Sequence, residues 1–218
     1  MTRREPKATA PRRKRLTVDA RREEFICKAT EFFAEEGFGG GTRELAARLG
    51  VTQPLLYRYF PSKEELIQAV YRRVYLDRWK PEWDALLRDR TQPIRQRLQR
   101  FYEDYTDAIF DRAWLRIYFF SGLKGVEINR WYIAMVETRI LKPIIAEFRH
   151  AAGLAPSDPP VPEDLELAWV LQGGIFYYGV RKFVFELPVE EDKSRVIANA
   201  LDVFLAGLAS HSGATIRP

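Results

Sequence analysis

The chain has 218 residues, 46% hydrophobic and 30% charged, the balance of a globular protein with one large or two small cores. A single cysteine, Cys27, excludes an intrachain disulfide, and two remote histidines, His150 and His211, leave no pattern for a structural zinc site. The net charge of +5 is unevenly spread: residues 1–80 hold 18 Lys and Arg against 11 Asp and Glu, and residues 81–218 hold 17 against 19, so a polyanion partner is expected at the amino-terminal end.

Residues 1–16 carry Arg3, Arg4, Lys7, Arg12, Arg13, Lys14 and Arg15 with Pro6 and Pro11, and read as a disordered basic arm. No hydrophobic segment follows the basic run, and no stretch approaches 18 uncharged apolar residues. Neither a secretory signal nor a membrane span is expected, and a cytoplasmic protein is the default. Beyond the arm the pattern is helical almost everywhere, which predicts an all-α fold of about nine helices.

The first helix is expected over 18–36, where Phe25, Ile26, Ala29, Phe32 and Phe33 recur at three- and four-residue spacing and Gly37 supplies a stop. Cys27 reads as a small buried hydrophobe on it. After the flexible run Gly39-Gly40-Gly41, Thr42 is expected to cap a short helix carrying Leu45, Ala46 and Leu49 and ended by Gly50. Thr52 then caps a second short helix with Pro54 in its first turn. Pro61 breaks the chain, and Ser62-Lys63-Glu64-Glu65 is a capping box for a fourth helix running toward Trp79 and stopping before Pro81. Further helices are expected over 93–110, 113–123, 126–152 (kinked or split by Pro143), 163–186 and 190–208.

Residues 42–60 thus read as helix, glycine turn, helix, the arrangement in which a second helix enters the major groove of DNA. Leu45, Ala46, Leu49, Val51, Leu56 and Phe60 supply an apolar back. Gln53, Leu55, Tyr57, Arg58 and Tyr59 remain for the polar front.

The residues themselves then become specific. Helix one ends Phe-Phe-Ala-Glu-Glu-Gly-Phe, Thr42-Arg-Glu-Leu-Ala and Gly50-Val follow, and the string Leu56-Tyr-Arg-Tyr-Phe-Pro-Ser-Lys-Glu-Glu-Leu closes the segment. From about Phe25 to Tyr71 the chain resembles the DNA-binding domain of the TetR family of bacterial repressors; the remainder agrees only in length and helix content. The resemblance implies that Arg43 and Gln53 read bases, as suits a residue that grips guanine and one that grips adenine. It implies thymine-methyl contact for Pro54 and Leu55, the latter a departure from the small or polar residue usual there, which leaves the base preference open. Thr42, Tyr57, Tyr59 and Lys63 stand as phosphate-side contacts, Arg58 as a contact to either phosphate or base, and Thr52 as a further DNA-binding position. The basic arm either follows the minor groove or serves as a solubilising tail.

The expected division is an arm over 1–16, a helix-turn-helix domain over 17–71, a ligand-binding and dimerisation domain over 72–210 and a tail over 211–218. Partners are double-stranded operator DNA, a second copy of the chain and an unidentified small-molecule effector, with no cofactor, metal or membrane. Trp83, Phe101, Tyr105, Trp114, Tyr118, Trp131, Trp169 and Tyr177 are the candidates for lining an apolar effector cavity. The dimer interface is expected on the apolar stripe Ile197, Leu201, Phe204, Leu205 and Leu208, together with Gly173 and Gly174, where small residues permit close backbone approach. The absence from the sequence of a phosphate loop, a metal-ligand cluster or a Ser/His/Asp set argues against an enzyme. The competing readings are a ligand-independent nucleoid organiser and an activator.

Overall fold

The Thr17 hydroxyl accepts from the Ala20 N–H at 3.2 Å and caps the first helix, α1 (Val18–Glu36). The structure, a computed structural model, describes residues 17–213; the expected basic arm over 1–16 and most of the expected tail lie outside the described residues. Among the described residues there is no strand, and no helix is long and apolar enough to cross a membrane. Nor do they hold a group of three or more His, Cys, Asp or Glu placed to hold a metal ion.

Helix α1 buries Phe25, Ile26, Ala29, Phe32 and Phe33, the face its periodicity predicts. Cys27 falls at the edge of that face and is half-buried rather than buried. Helices α2 (Thr42–Arg48) and α3 (Gln53–Tyr59) follow, and α4 (Lys63–Tyr71) begins where the Ser62 hydroxyl accepts from the Glu65 N–H at 3.1 Å. The fourth helix does not reach Trp79. It widens into a π-helical turn, Arg72–Leu76, that buries Val74 and Tyr75 and closes with the Asp77 N–H on Arg72 O at 2.8 Å.

The larger part holds α5 (Pro81–Arg88), α6 (Ile94–Ile109), α7 (Arg112–Leu123), α8 (Ile128–Val136), α9 (Lys142–Ala151), α10 (Pro162–Phe183) and α11 (Lys193–Ser212). Helix α5 is absent from the sequence expectation because Pro81 reads as a stop, whereas it stands in the helix's first turn, where no N–H partner is lost. Pro143 does not simply kink the long helix over 126–152. A second π-helical turn, Glu137–Leu141, joins α8 to α9 just ahead of it, and the widened backbone accommodates the ring and the missing donor.

Helix α7 lies along α1 and joins the two parts. Arg116 donates from Nε to Ala34 O at 2.5 Å and from a terminal nitrogen to Glu35 O at 3.1 Å, meeting the unpaired carbonyls at the end of α1. Helix α11 packs on α6 and α10. Buried Glu147 accepts from Arg90 at 2.9 Å and Arg97 at 3.0 Å. Burial alone raises its carboxyl pKa, but the two guanidinium bonds outweigh that and hold it below the ordinary value.

Gly179 of α10 abuts the Phe110 ring, which occupies the place a Cβ would take. Gly179→Ala is therefore expected to destabilise the fold by about 1–3 kcal/mol through overpacking, read as a fall in thermal melting temperature.

Candidate nucleic-acid interface

The α2–α3 pair rests on α1. Leu45, Ala46, Leu49, Leu56 and Phe60 are buried against Phe25, Phe32 and Phe33, so one face of each short helix is committed to the core. Between them Gly50 takes φ +68°, a left-handed conformation that glycine adopts without strain, and the Val51 N–H returns to Ala46 O at 3.0 Å. The turn is thereby closed on the apolar side and α3 presents its other side outward.

Thr42 is the first helical residue of α2, not its cap; Gly41 holds the cap position and makes no side-chain cap bond. The Thr42 hydroxyl is engaged across the motif instead. It accepts from Gln53 Nε2 at 2.8 Å and meets the Tyr57 hydroxyl at 3.0 Å, tying the start of α2 to both ends of the α3 face. Thr52 occupies the cap position of α3 in extended backbone but makes no side-chain cap bond, so its exposed hydroxyl remains outward. Pro54, Tyr57, Arg58 and Arg43 are exposed, Leu55 is half-buried, and among the described residues neither Arg43 nor Arg58 has a carboxylate partner.

Two side chains lie differently from the sequence expectation. Tyr59 is not a free member of the front: its ring packs edge-on against Phe25 at 5.0 Å and is half-buried. Lys63 is neither free nor merely solvated. Its ammonium donates to Phe38 O at 2.8 Å and Gly40 O at 3.0 Å, fixing the glycine loop that launches α2 and leaving one hydrogen for an anion. The result is an outward ridge of Arg43, Thr52, Gln53, Tyr57 and Arg58 with Pro54 among them, backed by an aromatic core.

Residues 26–70 match the description of bacterial regulatory proteins of the tetR family. The likeness to the tetR family rests on this segment. The chain is also 38% identical over 96 residues to the HTH-type transcriptional activator FasR of Mycolicibacterium smegmatis, a stretch covering 44% of this chain and 43% of that protein. Its fold is shared with a TetR-like transcriptional regulator from Rhodococcus sp. RHA1, with a TM-score of 0.66, 20% identity, and coverage of 89% of this chain and 99% of that one. It is shared too with SmeT, the repressor of the Stenotrophomonas maltophilia multidrug efflux pump SmeDEF, with a TM-score of 0.59, 21% identity, and coverage of 85% and 89%.

Outside the tetR-family segment, the expected interface stripe requires correction. Ile197, Leu201, Phe204, Leu205 and Leu208 are buried within the single chain, Leu201 completely, because this side of α11 packs on α6 and α10. The opposite side is the open one. Gly173 and Gly174 are exposed with nothing near their missing Cβ atoms, and they share that face with Val170, 69% exposed, and Val203 of α11, 74% exposed. Sequence reading missed both valines. Val170, Gly174 and Tyr177 recur at four- and three-residue spacing and form a second, weaker stripe that was available to find.

The expected cavity residues do not converge on one space. Trp83, Phe101 and Tyr105 pack ring on ring, Phe101 and Tyr105 stacked at 5.4 Å. Trp114 stacks on Tyr118 at 5.8 Å and both rings pack on Tyr132, whose hydroxyl pairs with that of Tyr105 and so joins this group to the first; Trp131 packs on Tyr71, Trp169 is half-buried, and Tyr177 is 54% exposed on the open α10 face rather than internal. Two surface clefts, about 750 and 690 Å³, lie elsewhere, the first beside Arg90, Lys142 and His150 and the second between Val170 and Gly207.

Arg43→Ala and Gln53→Ala are each expected to relax discrimination at one base pair per half-site by about 1–3 kcal/mol, measured by competition binding against single-base variants of a selected duplex. Lys63→Ala is expected to weaken all duplexes alike, because it releases the loop beneath α2 and removes a cation.

Proposed function

We propose that this chain is a DNA-binding transcriptional regulator that recognises a near-palindromic operator as a dimer and changes its DNA affinity when a small molecule enters its larger helical part. The observation that carries this reading is the ridge on α2 and α3, in which two arginines with no carboxylate partner among the described residues, a glutamine and two exposed hydroxyls sit on a buried aromatic base. Arg and Gln offer bidentate pairing to base edges, and the hydroxyls suit phosphate oxygens. Residues 17–71 act as the reading domain and residues 72–210 as the sensing and pairing domain, with α4 and its π-helical turn passing between them.

The second copy belongs on the open face of α10 and α11. Two valines more than two-thirds exposed, two glycines with unobstructed backbone and Tyr177 give an apolar, low-relief surface over which helices approach closely. An isologous pairing there places two α3 helices about a twofold axis, which matches a palindrome of half-sites one DNA turn apart.

Repression is the principal reading of the regulatory sign. Activation is the second, favoured by the similarity to FasR, which is described as an activator. A reporter carrying the operator in a strain with and without the protein separates them.

Selection of bound sequences from a random DNA pool tests the reading. The expected product is a palindrome with half-site centres about 34–36 Å apart; a protein that enriches nothing over bulk DNA is an organiser or no DNA binder at all. Val203→Glu is expected to give a monomer at micromolar concentration by mass measurement and to lose operator binding with its helix content intact.

A further inference from the structure

The larger of the two surface clefts, about 750 Å³, lies where the end of α5 meets α9 and the connection from α9 to α10. None of its lining residues belongs to α1–α4, and none is one of the aromatic side chains expected to surround an effector. Arg88, Arg90, Lys142 and Arg149 line it, against the carboxylates of Glu147 and Asp158. How these charges are already spent decides what the cleft takes.

Lys142 is paired with Glu137 at 2.9 Å and Arg149 with buried Asp164 at 2.9 Å, so neither offers a full charge to a ligand. Arg149 also donates from Nε to Ala155 O at 2.8 Å, which fixes the α9–α10 connection as a wall. Arg90 is held from behind. Glu147, with buried Arg97 on its other side, accepts from Arg90 Nε at 3.1 Å and from a terminal nitrogen at 2.9 Å, yet the Arg90 side chain is 53% exposed. One carboxylate between two guanidiniums leaves one positive charge over, and the second terminal nitrogen of Arg90 has no acceptor among the described residues. Arg88 is exposed, bonds only the Asp84 carbonyl of its own helix, and has no carboxylate partner among the described residues.

The cleft thus places an arginine already set in position beside one whose charge is uncompensated. A carboxylate, with two oxygens, answers two such guanidinium groups at once. Exposed Asp158 on the rim repels a second negative charge, which disfavours a phosphate dianion. Pro143, Ala146 and Leu154 line the same space and give the apolar part of a ligand a surface to cover.

We propose that this cleft binds an organic monocarboxylate with a compact apolar body, its carboxylate gripped by Arg90 and Arg88 and its body laid on Pro143, Ala146 and Leu154. The site stands apart from the α2–α3 ridge and does not rest on the ligand-responsive reading. Its parts are in place before a ligand arrives, since Glu147 orients Arg90 and Asp164 anchors the arginine that holds the wall. Occupancy ties the end of α5 to the α9–α10 connection and raises the melting temperature by mass action.

The test titrates benzoate into the full chain at neutral pH without DNA, following the methyl NMR signals of Ala146 and Leu154, with benzamide and inorganic phosphate as comparison probes. Benzoate is expected to shift both methyls saturably and to raise the melting temperature. Benzamide, of the same shape without the charge, is expected to bind about tenfold more weakly. Arg88→Gln is expected to weaken benzoate about tenfold, and Arg90→Lys, which keeps the charge but loses the planar fork, to weaken it as well. Arg130→Gln removes an equal charge from α8, outside the cleft, and is expected to leave the affinity unchanged. The proposal is overturned if benzoate gives no saturable shift, if benzamide or phosphate binds as tightly, or if Arg88→Gln binds benzoate as Arg130→Gln does.

Discussion

The seam between α1 and α7 carries the rest of the structure. The aromatic underside of α1 is the base on which α2 and α3 stand, and the Arg116 guanidinium closes the last turn of α1 by bonding Ala34 O and Glu35 O. A helix ends with carbonyls that nothing within it can satisfy, and a cation there answers both the hydrogen-bond demand and the negative end of the dipole. The short helices have little stability alone, being seven residues each. Their orientation is inherited from α1, and α1 takes its own from α7.

On the outer side the same economy of contacts holds the ridge of α2 and α3, the proposed reading surface. Thr42 holds Gln53 and Tyr57 together before any ligand arrives, and Lys63 pins the loop ahead of α2. Side chains held in this way lose less freedom on binding than free ones. Gln53 spends one amide hydrogen on Thr42 and keeps the other hydrogen and its amide oxygen, the donor–acceptor pair that the proposed adenine contact uses.

Legibility in the sequence followed the strength of the local pattern. The face of α1, the glycine turn at Gly50 and the Ser62 cap were readable because each depends on residues within one or two turns. Helix α5 was missed because Pro81 ends a helix and begins one with equal ease. The π-helical turns leave no compositional mark. The side of α11 that faces inward was misassigned because a strong apolar stripe says that something covers it, not whether the cover is α6 of the same chain or a second copy. Tyr57 and Tyr59 differ in role although they are two residues apart, since a helix turns about 200° over that interval and only Tyr59 meets Phe25.

Arg116 lies on the inner seam, away from every residue of the reading ridge, which makes it the most direct probe of this dependence. The decisive measurement is the affinity of Arg116→Met for a selected operator duplex, with amide hydrogen exchange recorded across α1 and α11. If α7 sets the attitude of the reading head, affinity falls at least tenfold and exchange rises in the last turn of α1, while α11 keeps its protection. Unchanged affinity with the last turn of α1 loosened contradicts the account, because the reading helices would then hold their position without the seam.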